Sequence, residues 1–172
     1  MKLLLYCTKA KPYLRELFKC NEKKHRYYTS LDLKNNALNG KIVAECDFEV
    51  EKLFIKYGEG WQTDTIKGTE NIEKLSCINR EQLYQYCKGN GYAIHIKNLN
   101  VFDKPRKLSD YKGNSKGNFF KIIEKAPQNM QMVLNEKLED CILISIRPKW
   151  LCKILNGEKT IECRKKVLKE MK

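Results

Sequence analysis

Residues 142–166, ILISIRPKWLCKILNGEKTIECRKK, constrain the fold more than any other stretch, because they read as one strand–helix–strand unit. Ile142, Ile144 and Ile146 alternate with Leu143, Ser145 and Arg147, the two-residue period of a strand with one buried face. Pro148 follows where a helix accepts proline, at its first position, whose N–H would have no helical partner. Trp150, Leu151, Ile154 and Leu155 recur at helical spacing and give a helix over 148–156 one apolar face. Asn156 and Gly157 stop it, Gly157 being free to take a left-handed cap. In the strand that follows, Ile161 and Cys163 face a core, while Thr160, Glu162 and Arg164 share the other face.

The remaining chain supplies further elements. Leu3 to Cys7 is an apolar run suited to a buried strand. Lys9, Lys11 and Pro12 lead into a helix at 11–18 with Leu14, Leu17 and Phe18 on one face. The stretch 23–28 mixes basic and aromatic side chains, which suits either a single-stranded nucleic-acid surface or an exposed loop. After the Asn39-Gly40 turn signal, Ile42, Ala44, Cys46, Phe48 and Val50 alternate with an acidic face of Glu45, Asp47, Glu49 and Glu51. A row of carboxylates on one strand is a solvated face more often than an acid–base pair. It repels nucleic acid, so any binding surface is expected elsewhere. Trp61 ends a glycine-containing loop, either to stack on a base or as a partly buried anchor. Asn79 and Gln82 form a capping signal for a helix over 80–87, with Ile78 and Leu83 as its staple. Tyr92, Ile94 and Ile96 mark another strand, residues 102–105 a turn, and 112–118 a basic loop.

Residues 157–164, Gly-Glu-Lys-Thr-Ile-Glu-Cys-Arg, match the G-x-K-x-x-E-x-R motif, and the chain here resembles the ASCH domains of the PUA-like superfamily. The preceding Ser145-Ile146-Arg147-Pro148 is similar to that family's opening segment. Residues 92–111 and the Pro127-Gln128 turn are similar to its closing part in phage and low-GC bacterial members. The segments stand in rotated order. The resemblance implies an α+β fold, a PUA-like mixed β-barrel with flanking helices in circularly permuted order. It implies one domain over 1–172: barrel body 1–133, connector 134–140, and a segment at 141–166 that completes the barrel, in its own chain or in the partner of a segment-swapped homodimer. It further implies a nucleic-acid-binding module, RNA foremost, with a basic cleft around Arg147, Gly157, Lys159, Thr160, Glu162 and Arg164. Lys9 and Trp61 are candidates at its margin. Without the family, the same residues describe a glycine cap followed by a charged strand.

The alternative class is a small hydrolase acting on a modified nucleoside or on RNA. In the acetylcytidine amidohydrolases of the family the motif reads G-x-K-T-I-T, with lysine as base and the final threonine as nucleophile. Lys159 and Thr160 match, but Glu162 stands in the nucleophile's place and lacks the hydroxyl that a lysine would activate. No catalytic residue is assigned. Composition bears on partners. The chain of 172 residues carries 34 Lys and Arg against 21 Asp and Glu, a net charge of +13 that favours polyanions. Its eight cysteines are spread without metal-ligand spacing and read as small buried hydrophobes of a reducing compartment, so neither metal nor cofactor is expected. No apolar run has the length of a signal peptide or a membrane span, and a cytoplasmic location is expected.

Overall fold

A computed structural model describes residues 1–8, 38, 40–56, 60–63, 69–114, 120–125, 140–167 and 171. Lys9, the expected helix at 11–18, the basic–aromatic stretch at 23–28, the turn at 126–129 and the connector up to residue 139 lie outside the described residues.

The described chain is α+β, with most of its core on one sheet. The strands are β1 (Lys2–Cys7), β2 (Lys41–Lys56), β3 (Gly60–Thr63), β4 (Asn90–Lys107), β5 (Tyr111–Asn114), β6 (Phe120–Lys125), β7 (Asp140–Ile146) and β8 (Ile161–Arg164). They run in the order β5-β6-β7-β1-β2-β4-β8, with β3 branching from β2. The described helices are α1 (Thr69–Ser76), α2 (Arg80–Cys87) and α3 (Pro148–Leu155). Among the described residues the sheet is not closed: β5 and β8 are its ends.

The C-terminal unit joins this sheet within one chain. β7 pairs in parallel with β1, from Lys2 opposite Cys141 to Cys7 opposite Ile146. β8 pairs antiparallel with β4, and α3 connects β7 to β8. Leu151, Ile154 and Leu155 pack with Leu3, Leu5, Ile142, Ile144 and Ile146, and Trp150 leans on that cluster. One expectation changes. β7 is buried on both faces, since Leu143 packs with Leu4, Ile42 and Phe102 on the far side. Both β1 and β7 have neighbours on each edge and apolar layers on each face, which is why their sequences are nearly continuous apolar runs.

β2 and β4 are the longest strands, and both are bent by irregular register. Opposite β4, Ile42 pairs with Arg106 while Ala44 pairs with Val101, so residues 102–105 make an excursion facing Val43. The turn signal at 102–105 is therefore a bulge inside β4 rather than its end, and Pro105 is tolerated there because the ladder is interrupted. A second irregularity sets Asn98, at φ +49°, against Cys46. Bulges increase local twist, and these let the sheet curl over two cores.

The second core holds Leu53, Trp61, Ile72, Leu83, Cys87, Ala93, Ile161 and Cys163, under α1 and α2. Trp61 lies here on β3, wholly buried, with Nε1 donating to the Arg80 carbonyl at 3.4 Å. Of the two expected roles, burial goes further than the partly buried anchor and does not fit a base-stacking ring at the margin of a cleft, since no face of the ring reaches solvent. The acidic face of β2 is also not a free carboxylate row. Glu45 accepts from Asn100, Asp47 from Lys2 and Asn98, Glu49 pairs with Lys97, and Glu51 meets His95 Nε2 at 3.0 Å.

The helix expected at 80–87 is α2. Asn79 caps it by accepting from the Gln82 N–H. Just beyond it, on β4, Gly91 is demanded by space, since a Cβ there would stand 2.9 Å from the Arg164 carbonyl oxygen and 3.0 Å from Cys87 Sγ. Gly91→Ala is expected to destabilise the protein by about 1–3 kcal/mol through overpacking, read as a lower midpoint in urea.

The cysteines give a pH-dependent prediction. Burial pushes the Cys7 and Cys163 thiols up to about 12, and Cys46 likewise, with the Asp47 charge adding to it. Cys87 is raised to about 11, again by burial. In the unfolded chain a thiol ionises near pH ~8.5. A raised folded-state pKa means the stabilisation is complete below that value and is lost as pH rises toward the folded values. Unfolding free energy is expected to fall progressively above about pH 9. At pH 8, Ellman's reagent should label these four thiols in urea but not in the folded protein.

Candidate functional site

The motif residues meet at the C-terminus of α1. That helix, absent from the periodicity reading, ends with Cys77 in the left-handed conformation at φ +56°. The Cys77 N–H bonds the Lys74 carbonyl and the Ile78 N–H bonds the Glu73 carbonyl, which satisfies two of its last four carbonyls. The other two are taken by the motif. The Thr160 N–H donates to the Leu75 carbonyl at 2.9 Å, and Lys159 Nζ donates to the Ser76 carbonyl at 2.6 Å. An ammonium at a helix C-terminus also meets the negative end of the helix dipole.

Lys159 is delivered there by the end of α3. Gly157 takes φ +73° with open space around its Cβ position, so the requirement at 157 is backbone conformation, not room. The Glu158 and Lys159 N–H groups then fold back on the Lys153 carbonyl, and the Lys153 ammonium pairs with Glu158 at 3.1 Å. The chain turns into β8 with the Lys159 side chain directed inward.

Inside, Lys159 Nζ stands 3.4 Å from Glu162 Oε2, and Arg164 Nη2 stands 3.0 Å from Glu162 Oε1. Lys159, Glu162 and Arg164 are only 1%, 7% and 9% exposed. One carboxylate is shared by two cations, so this buried triad carries one net positive charge. Arg164 Nη2 also donates to the Ser145 carbonyl of β7 at 2.6 Å. The neighbouring Ile146 carbonyl accepts from Thr8 on the β1 side. Successive carbonyls of a strand alternate in direction, so Ser145 offers its oxygen toward the β6 side, beyond the Phe120–Ile144 pair. Arg164 thus bridges from the last strand of the sheet to its third from the other end. Among the described residues its Nε is buried without a hydrogen-bond partner.

The structure brings three of the predicted residues together as a network, Lys159, Glu162 and Arg164, and sets the others around it. Thr160 is exposed, and no hydrogen bond joins its hydroxyl to Lys159 among the described residues. Arg147 is exposed at the N-cap of α3 and makes no side-chain cap. Lys159 is a correction to the expectation of an ammonium reaching into an open cleft: its charge is spent on the α1 carbonyl and Glu162. Trp61 belongs to the second core, on its buried side.

Two aromatics border the network: Trp150, expected only as part of the apolar face of α3, and Tyr86, which sequence reasoning left out. Trp150, half-buried, has Lys159 Nζ 5.3 Å and Lys149 Nζ 4.8 Å from its ring centroid. Tyr86, exposed on α2, has Lys165 Nζ 5.2 Å from its ring. Burial holds the Tyr86 hydroxyl above the usual phenol range, while the charge of Arg164 beside it acts in the opposite sense. The signal for Tyr86 was its exposure on a helix next to Lys165, which only the fold reveals.

Among the described residues no group of His, Cys, Asp and Glu side chains could hold a metal ion, and no helix is long and apolar enough to cross a membrane. Comparison with known proteins gives no match: no family model, no curated protein and no solved structure is similar to the chain. The resemblance to ASCH domains therefore rests on the motif and its flanking segments.

Removing the shared carboxylate tests the network. Glu162→Ala leaves two buried cations uncompensated and is expected to cost about 3–5 kcal/mol of stability. Thr160→Ala, at an exposed neighbour, should change it by less than about 0.5 kcal/mol. Urea unfolding of the two variants checks the difference; equal stabilities would mean that the triad contributes nothing.

Proposed function

We propose that this chain is a nucleic-acid-binding module, RNA foremost, built as a permuted PUA-like domain of the ASCH kind. In this reading the triad of Lys159, Glu162 and Arg164 is the rigid floor of the contact surface rather than the contact itself. The observation that carries the reading is the exposed charge around that floor. Arg147 and Lys149 are exposed at the junction of β7 with α3, and Lys165 and Lys166 are exposed just after β8, beside a buried network of net positive charge. The adjoining aromatics Trp150 and Tyr86 add ring surface of the kind that bases stack on. The net charge of +13 supports the same class of partner. The carboxylates of β2 are paired with Lys2, Lys97, His95 and side-chain amides, which reduces the repulsion they would offer a polyanion.

Such a surface binds phosphates by releasing counterions, so affinity falls steeply with salt. Fluorescence anisotropy with a labelled RNA of about 20 nucleotides is expected to weaken by at least about 10-fold between 50 and 200 mM salt, given three or more phosphate contacts. The double variant Lys165→Glu, Lys166→Glu is expected to lower affinity and the salt slope while leaving the urea midpoint unchanged. Salt-independent binding, or an unaltered slope in that variant, would count against this surface.

A further inference from the structure

We infer that Trp150 is a base-stacking platform that selects unpaired nucleotides, with Lys149 and Arg147 holding the phosphate of the stacked residue; this rests on the nucleic-acid reading above. Trp150 sits in the first turn of α3 and leans on the main core, which fixes the indole. Lys159, at 1% exposure, abuts the ring from within, 5.3 Å from its centroid. Lys149 is exposed, and its ammonium stands 4.8 Å from the same centroid. A solvated ammonium reaches the ring, so part of the indole is open to solvent and its π-surface is already in use as a cation acceptor. A nucleobase competes for that same surface.

The exchange is balanced. When a base stacks on Trp150 it displaces the Lys149 ammonium from the ring. A phosphate of the same nucleotide supplies the displaced charge with a new partner. Arg147, exposed at the N-cap and making no cap bond of its own, offers a planar fork to the next phosphate oxygen. Lys159 stays in place, because its ammonium is bound to the Ser76 carbonyl and Glu162. In a duplex both faces of every internal base are already stacked, so the platform has nothing to accept from it. Selectivity for single strands follows from geometry, without base-specific hydrogen bonds.

The test uses the intrinsic fluorescence of the full chain. Its two tryptophans differ, Trp61 being wholly buried and Trp150 half-buried, so a ligand-induced quench reports Trp150. Titration with a single-stranded 12-mer RNA is expected to quench emission, while a blunt duplex of the same sequence should bind by anisotropy without quenching. Trp150→Leu keeps an apolar side chain against the core and is expected to bind the single strand about 10-fold or more weakly. Trp150→Phe should recover most of that loss. Lys149→Glu, at an exposed position outside the core, gives a second readout and should weaken the single strand more than the duplex. Equal affinity and equal quench for single strand and duplex would overturn the platform while leaving the nucleic-acid reading intact. So would Trp150→Leu binding like the parent. Absence of binding to either RNA at 50 mM salt would overturn both.

Discussion

The hydrogen bonds and ion pairs made by Lys159, Glu162 and Arg164 hold together parts of the chain that the backbone ladders leave apart. Lys159 closes the C-terminus of α1, Arg164 reaches across to β7, and Glu162 pairs with both cations. Burying three charges is unfavourable on desolvation grounds alone, and replacement by apolar side chains often costs a protein nothing. What such a network offers is direction. The Lys159 ammonium and the Arg164 Nη2 each have specified acceptors, so the angle between α1, β8 and β7 is set by hydrogen-bond geometry as well as by apolar contact, which tolerates slippage. The surplus positive charge and the unpartnered Arg164 Nε leave the arrangement electrostatically incomplete beneath a cationic surface.

This dual character explains why the G-x-K-x-x-E-x-R segment resists a purely local reading. As sequence, the lysine and arginine look like ligands for an external anion. In the fold, their first partners are a helix carbonyl, a strand carbonyl and one carboxylate. Beside them stand the exposed Arg147, Lys149 and Lys165 and the half-buried Trp150, and the turn at Gly157 with the pairing of β8 to β4 brings Lys165 back to the side of the other three.

Much of the architecture was legible from pattern. The strand character of β7 and β8, the Pro148 start, the Gly157 stop and the Asn79 cap each reflect local physics that a sequence carries on its face, whereas the second buried face of β7 depends on Leu4, Ile42 and Phe102 from distant strands. The misreadings have physical causes. The TENIEKLS stretch of α1 contributes Ile72 to a core and has its end capped by Lys159, 83 positions beyond Ser76, and by Thr160, so its helicity is supported by tertiary bonds more than by periodicity. Pro105 argued for a turn because proline interrupts a ladder; β4 accommodates it by making the interruption a bulge. Trp61 followed two glycines and looked like a loop tip, but β3 pairs with β2 and folds the indole under α2. Lys159 was misjudged because a lysine is rarely buried, and nothing local announces a helix end awaiting its ammonium.

The parallel pairing of β1 with β7 has a consequence for how the polypeptide is made. β1 finds its antiparallel partner β2 about 40 residues later, but its other edge faces β7, whose first paired residue is Cys141. At a synthesis rate of about 5–20 residues per second, that edge waits on the order of ten seconds for its partner. During that interval the nascent sheet presents Leu3, Leu4 and Leu5 beside a row of unpaired backbone groups, the template on which strands from other chains add. The order of assembly is thus dictated from the far end: the interior strand of the finished sheet begins as an edge. That transient edge follows from the topology rather than from any single side chain.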